Sequence, residues 1–273
     1  TNSDLTIGTG DVGFRFRDGS NDILPFDVGS SSATDGVVSF GAASNRFKDL
    51  YLSGTAIVGG LTVDGSIKLD GNYPTGTDNV ALGNNAFSAA LTGAGNIAIG
   101  DSASQNITSG SNSIAIGRDA MQGIYTGGDT IAIGRSALSA LTSGSFNTAL
   151  GALAIASVTT NGGNTGVGAF ALNQATGANN TTLGFQAGRY LTTADNNTAL
   201  GYLAGGGTGV VTGDDNTSVG ASAGLRLTSG ARNTLIGTGA GDALTSGTEN
   251  VALGHAALST NTLGQRAVAI GFY

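Results

Sequence analysis

The chain has 273 residues, with 48 glycines, two prolines, one histidine and neither cysteine nor tryptophan, and 11% of it is charged against about a quarter in an average domain. The lack of cysteine excludes disulfides, thiolate nucleophiles and cysteine metal sites, and a lone histidine forms no histidine cluster. A net charge of −7 without any basic run argues against nucleic acid as a partner, and so high a glycine content argues against a helical bundle.

Residues 1–78 read as short strands and hairpins. Asp18-Gly19 lies between Phe14-Arg15-Phe16-Arg17 and Ile23-Leu24, and Asp64-Gly65 lies between Leu61-Thr62-Val63 and Ile67-Lys68-Leu69. An Asp-Gly pair between apolar runs is a hairpin signal, because both central positions of the favoured turn take positive φ. Pro74 and two glycines between Gly71 and Thr77 mark a boundary, so 1–78 and 79–273 are expected to be separate regions.

From residue 79 a repeat takes over. The pattern Asn-x-Ala-aliphatic-Gly recurs twelve times, with its glycine at 83, 100, 117, 134, 151, 168, 184, 201, 220, 237, 254 and 271. Nine of the eleven intervals are 17 residues, one is 16 and one is 19. Four residues before the glycine, asparagine stands in nine copies, as suits a side chain that hydrogen-bonds at a corner. Three before it, every residue is Val, Ile or Thr, and one before it every residue is Leu, Ile or Val. The residue between these two is alanine in eight copies and must point to the opposite side of a strand. Three residues after the glycine, Ala86 through Ala257 form an unbroken alanine column, and a threonine near the eighth or ninth position precedes a second glycine-rich turn.

Two strands per coil and two corners are therefore expected, stacked as a parallel β-solenoid of about twelve 17-residue coils in an all-β chain. Stacking puts like residues above one another, which explains why 79–273 holds 14 charges in 195 positions whereas 1–78 holds 15 in 78. In this reading the β-branched and aliphatic columns, Ile133 among them, face inward. The alanine column faces outward and is hidden by sister copies in a parallel homotrimer.

The segment Ser44-Asn45-Arg46-Phe47-Lys48-Asp49-Leu50-Tyr51-Leu52-Ser53-Gly54 resembles one common in bacteriophage tail-fibre proteins. Repeats such as Asn197-Thr198-Ala199-Leu200-Gly201-Tyr202-Leu203-Ala204-Gly205 resemble the repeat arrays of those fibres. Asn112-Ser113-Ile114-Ala115-Ile116-Gly117 is similar to the head repeat of trimeric autotransporter adhesins, although the 17-residue unit is longer and no stalk heptads follow. The resemblance implies a trimeric, parallel, left-handed roll that serves as an elongated fibre of the virion tail. Its implied partners are its own copies, other tail or fibre proteins, and a host-surface receptor of which a glycan is one form. A bacterial cell-surface adhesin or filament subunit is the alternative, and an ice- or glycan-binding solenoid a further one. The last copy stops after Gly271-Phe272-Tyr273, so the chain is expected to be cut short or capped by another protein.

No enzymatic constellation is present in the sequence, and no cofactor or metal is expected. His255 follows a repeat glycine in a column shared with Asn84, Asp101, Arg118, Ala152, Phe185 and Tyr202, which reads as a variable surface corner. Asp214-Asp215 sits in the two-residue insertion without the calcium-roll nonapeptide around it, and Gly205-Gly206-Gly207-Thr208-Gly209 lacks the lysine and helix of a phosphate loop. Phe170, Phe185, Tyr190 and Tyr202 fall in three adjacent coils and, with His255, are the candidate receptor-binding residues. Six consecutive threonines, Thr148 to Thr234, form one column that would suit an ice-binding face, but an inward placement argues against that role. The longest nearly apolar stretch, Ala149 to Val158, is about half of the roughly 20 residues a membrane helix needs, so no membrane insertion is expected.

Overall fold

The computed structural model describes the strand backbones at 5–9, 12–16, 23–27 and 32–33, and then residues 78–87 and 91–272. The chain divides into two compact units, Thr1–Ser66 and Ile67–Tyr273. In the first, β1 (Leu5–Thr9), β2 (Val12–Phe16), β3 (Ile23–Asp27) and β4 (Ser32–Ala33) form an antiparallel sheet in chain order. Phe16 is paired with Ile23, so β2 and β3 flank the Asp18-Gly19 turn signal. The Asp64-Gly65 hairpin, the 44–54 segment and the boundary at 71–77 lie outside the described residues.

The second unit is a single twelve-stranded parallel sheet running from β5 (Val80–Leu82) to β16 (Val268–Ile270), one three-residue strand per coil. No helix occurs among the described residues. Like residues pair throughout: Ile114 with Ile131, Thr165 with Thr181 across the short interval, and Thr198 with Thr217 across the long one. The length differences are thus absorbed away from the strands.

Each strand ends at a repeat glycine whose φ lies between 124° and 139°, a region closed to side chains. Glycine is needed there twice over, because a Cβ on Gly184 would stand 2.5 Å from the carbonyl oxygen of Gly201 in the next coil. Left-handed backbone then recurs at alternate positions, as at Ser136 (φ 56°) and Leu138 (φ 50°). The consequence is that successive N–H groups point in different directions. Ser136 donates to Arg118 O in the preceding coil (2.9 Å), Ala137 to Gly134 O in its own (3.2 Å), and Leu138 to Ala154 O in the next (3.1 Å).

The expected second strand is absent among the described residues. The return segment holds only isolated parallel bridges, such as Ser111 with Gly128, and threonine contacts in which Thr142 donates through both N and Oγ1 to Thr159 O (2.8 and 2.9 Å). The alternating left-handed positions keep this stretch from extending into a β ladder.

The asparagine column both closes each coil and ties it to the next. Asn96 Nδ2 donates to Gly110 O, fourteen residues on (2.8 Å), while Asn96 N donates to Asn79 Oδ1 (2.8 Å). The same pair of bonds recurs at Asn180, Asn216, Asn233 and Asn250. In the coil that carries Thr130 instead, buried Tyr125 supplies a hydroxyl 3.1 Å from Gly128 O and 3.0 Å from Thr130 Oγ1. Burial raises the pKa of that phenol, which keeps it a donor.

The two faces of the strand are the reverse of the expected ones. Ala98, Ala132, Ala149, Ala199 and Ala252 are fully buried inside the coil, whereas Leu82, Leu150, Leu183 and Leu253 on the other face are 43–53% exposed. Ile133 is half-buried and points outward with them, and so does the threonine column. The lumen of a 17-residue coil explains the inversion. It must also hold the second alanine column and one or two large side chains, such as Leu138 and Leu141, and only a small strand residue fits beside them.

Candidate surface-binding site

The residue after each repeat glycine sits at the corner where the chain leaves the outward sheet face. Where neighbouring coils both place a ring there, the rings stack. Phe185 and Tyr202, 46% and 54% exposed, lie with centroids 6.0 Å apart and planes at 9°. Phe170, one position further along its own coil at φ 60°, meets Phe185 edge-on at 6.2 Å and 79°.

Tyr190 packs half-buried against the core and forms no ring pair with these three among the described residues. Arg189 joins it to them, with its guanidinium carbon 5.3 Å from the Phe170 ring centroid and 5.1 Å from that of Tyr190. Contacts in this range are cation–π contacts. Four of the five expected residues thus form one cluster. His255 belongs elsewhere, three coils further on, where it stacks on Phe272 at 5.0 Å and 11°. Arg189 and Phe272 escaped the sequence reading; Phe272 carries a signal, since it stands 17 residues after His255 in the same column, whereas Arg189 has no counterpart in the repeat.

Charges elsewhere are used to hold the stack. Arg232, Glu249 and Arg266 occupy equivalent positions in consecutive coils and alternate in sign, with Glu249 Oε1 3.0 Å from Arg232 Nη2 and Oε2 2.9 Å from Arg266 Nε. Hydrogen bonds from Arg266 and then Arg232 hold the Glu249 carboxyl below its ordinary range. Asp214 and Asp215 act likewise, accepting from Asp195 N (2.9 Å) and Asn196 Nδ2 (3.2 Å). Among the described residues no three His, Asp or Glu side chains converge as metal ligands. In the insertion coil Val211 is buried in the core while Val210 and Gly209 are left outside. A depression at the last coil, lined by Ala257, Val268, Ala269, Ile270 and Gly271, presents no titratable group.

Protein-family models, curated proteins and solved structures were compared with the chain, and none matches it.

Proposed function

We propose that the chain is a structural segment of a phage tail fibre, a parallel homotrimer that spaces the virion from its host and contacts the host surface along its corners. The observation that carries this reading is the outward sheet face. β-Branched and aliphatic columns run side by side along all twelve strands, over about 50 Å of axis at roughly 4.8 Å per coil. Leu82, Leu183, Leu253, Val268 and Ile270 are among its exposed members. A monomer rarely leaves an apolar stripe of this extent wet, and a trimer axis would bury three such stripes together. The number three comes from the resemblance of the repeats to fibre and adhesin arrays.

Solution mass tests the assembly: three chains of 26.6 kDa are expected, and a monomer at micromolar concentration overturns it. Attachment is tested by adding purified chain to a panel of bacterial strains. Saturable binding to a restricted set is expected, and its absence from every strain overturns the reading.

The outward threonine column from Thr148 to Thr234 favours a second reading, an ice-binding face. Replacement of those threonines by Val or Ile in the first four and last two strands favours the first. Inhibition of ice recrystallisation by the purified chain would decide for the second.

A further inference from the structure

We infer that Arg189, with the rings of Phe170, Phe185, Tyr190 and Tyr202, forms a binding site for an isolated uronic acid within an otherwise neutral surface polysaccharide. The inference rests on the attachment reading for its biological meaning, but the site stands on its own geometry. Arg118, Arg232 and Arg266 each pair with a carboxylate, whereas Arg135, Arg189 and Arg226 pair with none among the described residues. Arg135 and Arg226 are exposed, but Arg189 has its Nε buried without a hydrogen-bond partner. Its guanidinium is nevertheless fixed, held over two rings. A cation already ordered loses little further entropy when it takes a planar carboxylate on its free edge.

The surroundings define the rest of the ligand. From Phe170, which carries this cation, the ring ladder continues through Phe185 to Tyr202, both half-exposed, and ring faces accept the C–H face of a pyranose. The ring ladder stops at Tyr202, because the next coil, whose Ser222 N donates to Tyr202 O (2.8 Å), puts only Ala221 at that corner. One face of Tyr202 therefore has no aromatic neighbour. The net charge of −7, and Arg189 as the one cation among the described residues shown against these rings, argue against a dense polyanion and fit one carboxylate among neutral sugars.

The test compares methyl β-D-glucuronide with methyl β-D-glucoside, which carries a hydroxymethyl group in place of the carboxylate, by saturation-transfer NMR on the intact chain. The glucuronide should bind about tenfold more tightly or better, as a charge-assisted hydrogen bond allows. Arg189→Gln should erase that preference. Tyr202→Leu, which keeps apolar bulk but loses the ring, should weaken both ligands. Equal binding of the two sugars by the parent chain overturns the inference, as does a preference that survives Arg189→Gln. Cell binding without glucuronide binding would sink this site and leave attachment standing; glucuronide binding without cell binding would do the opposite.

Discussion

Leu235 fills the space that Gly241 leaves open: a Cβ on Gly241 would stand 2.7 Å from Leu235 Cδ2 and 3.0 Å from its Cδ1. Other coils solve the same volume problem the other way, with alanine on the strand and Met121, Leu138 or Ile155 at the position of Gly241. Gly166 and Ile155 repeat the trade between neighbouring coils, at 2.8 Å. Leu235→Ala should destabilise its coil by about 2–5 kcal/mol through the cavity it opens. Gly241→Ala should cost about 1–2 kcal/mol for the left-handed backbone alone (φ 57°), plus the clash. The double variant should lose less than the two added together, because the shortened side chain removes the clash. Amide exchange in the coils around 235 reads this better than global melting, since a repeat array need not unfold as one unit. Strict additivity would refute the trade.

The asparagine ladder makes a sharper prediction at Asn180, whose Nδ2 donates to Ala194 O (2.8 Å) and whose Oδ1 accepts from Asn197 N (2.9 Å). Asn180→Ala strands two buried backbone groups, at about 1–3 kcal/mol each. Asn180→Ser should recover part of the loss, as the native Ser113 coil keeps its inter-coil contact to Thr130 N at 3.4 Å. The amide of Asn197 should lose the most exchange protection, and an unchanged rate there would remove the ladder from the account of stability.

The repeat period, the glycine column and the hydrogen-bonding role of asparagine could all be read from the residues, because each is a local demand repeated in register. Inside and outside could not. Alternation separates Ala132 from Ile131 and Ile133, but with both faces apolar it does not say which one is enclosed. That choice is made by volume across the lumen, where Leu138 and Leu141 sit, and those residues are several positions away from the strand. The return stretch was misread as a strand because Leu153 (φ 58°) and Ile155 (φ 49°) take left-handed backbone without the glycine that would announce it. In the surface cluster Phe185 and Tyr202 were legible as one column 17 residues apart. Arg189 was not, since its contacts run to Phe170 in the coil before it.

Glu249 gives the array a pH response. Its folded pKa lies below the ordinary value of 4.5, owing first to the Arg266 hydrogen bond and then to that from Arg232. A carboxyl depressed on folding contributes stability that is fully present above its unfolded pKa and is lost as pH falls through the folded one. Exchange protection at Arg232 and Arg266 should therefore decline below about pH 4.5, more gently in high salt because the pair is exposed. Glu249→Gln should abolish this step, and an NMR titration midpoint at or above 4.5 would contradict it.

Two adjacent residues separate folding of the coil from the proposed association of copies. Ala132 is fully buried in the lumen, so Ala132→Asp places an unpaired charge there and should open the neighbouring coils to protease whatever the oligomeric state. Ile133 lies on the outward face, where Asp can remain hydrated in a single chain. Ile133→Asp should leave the coil protease-resistant but, in the proposed trimer, bring three carboxylates together at the axis, shifting the solution mass from three chains to one. Protease resistance of Ala132→Asp would contradict the inward alanine column. A trimer that survives Ile133→Asp at micromolar concentration would show that the aliphatic face is not where the copies meet.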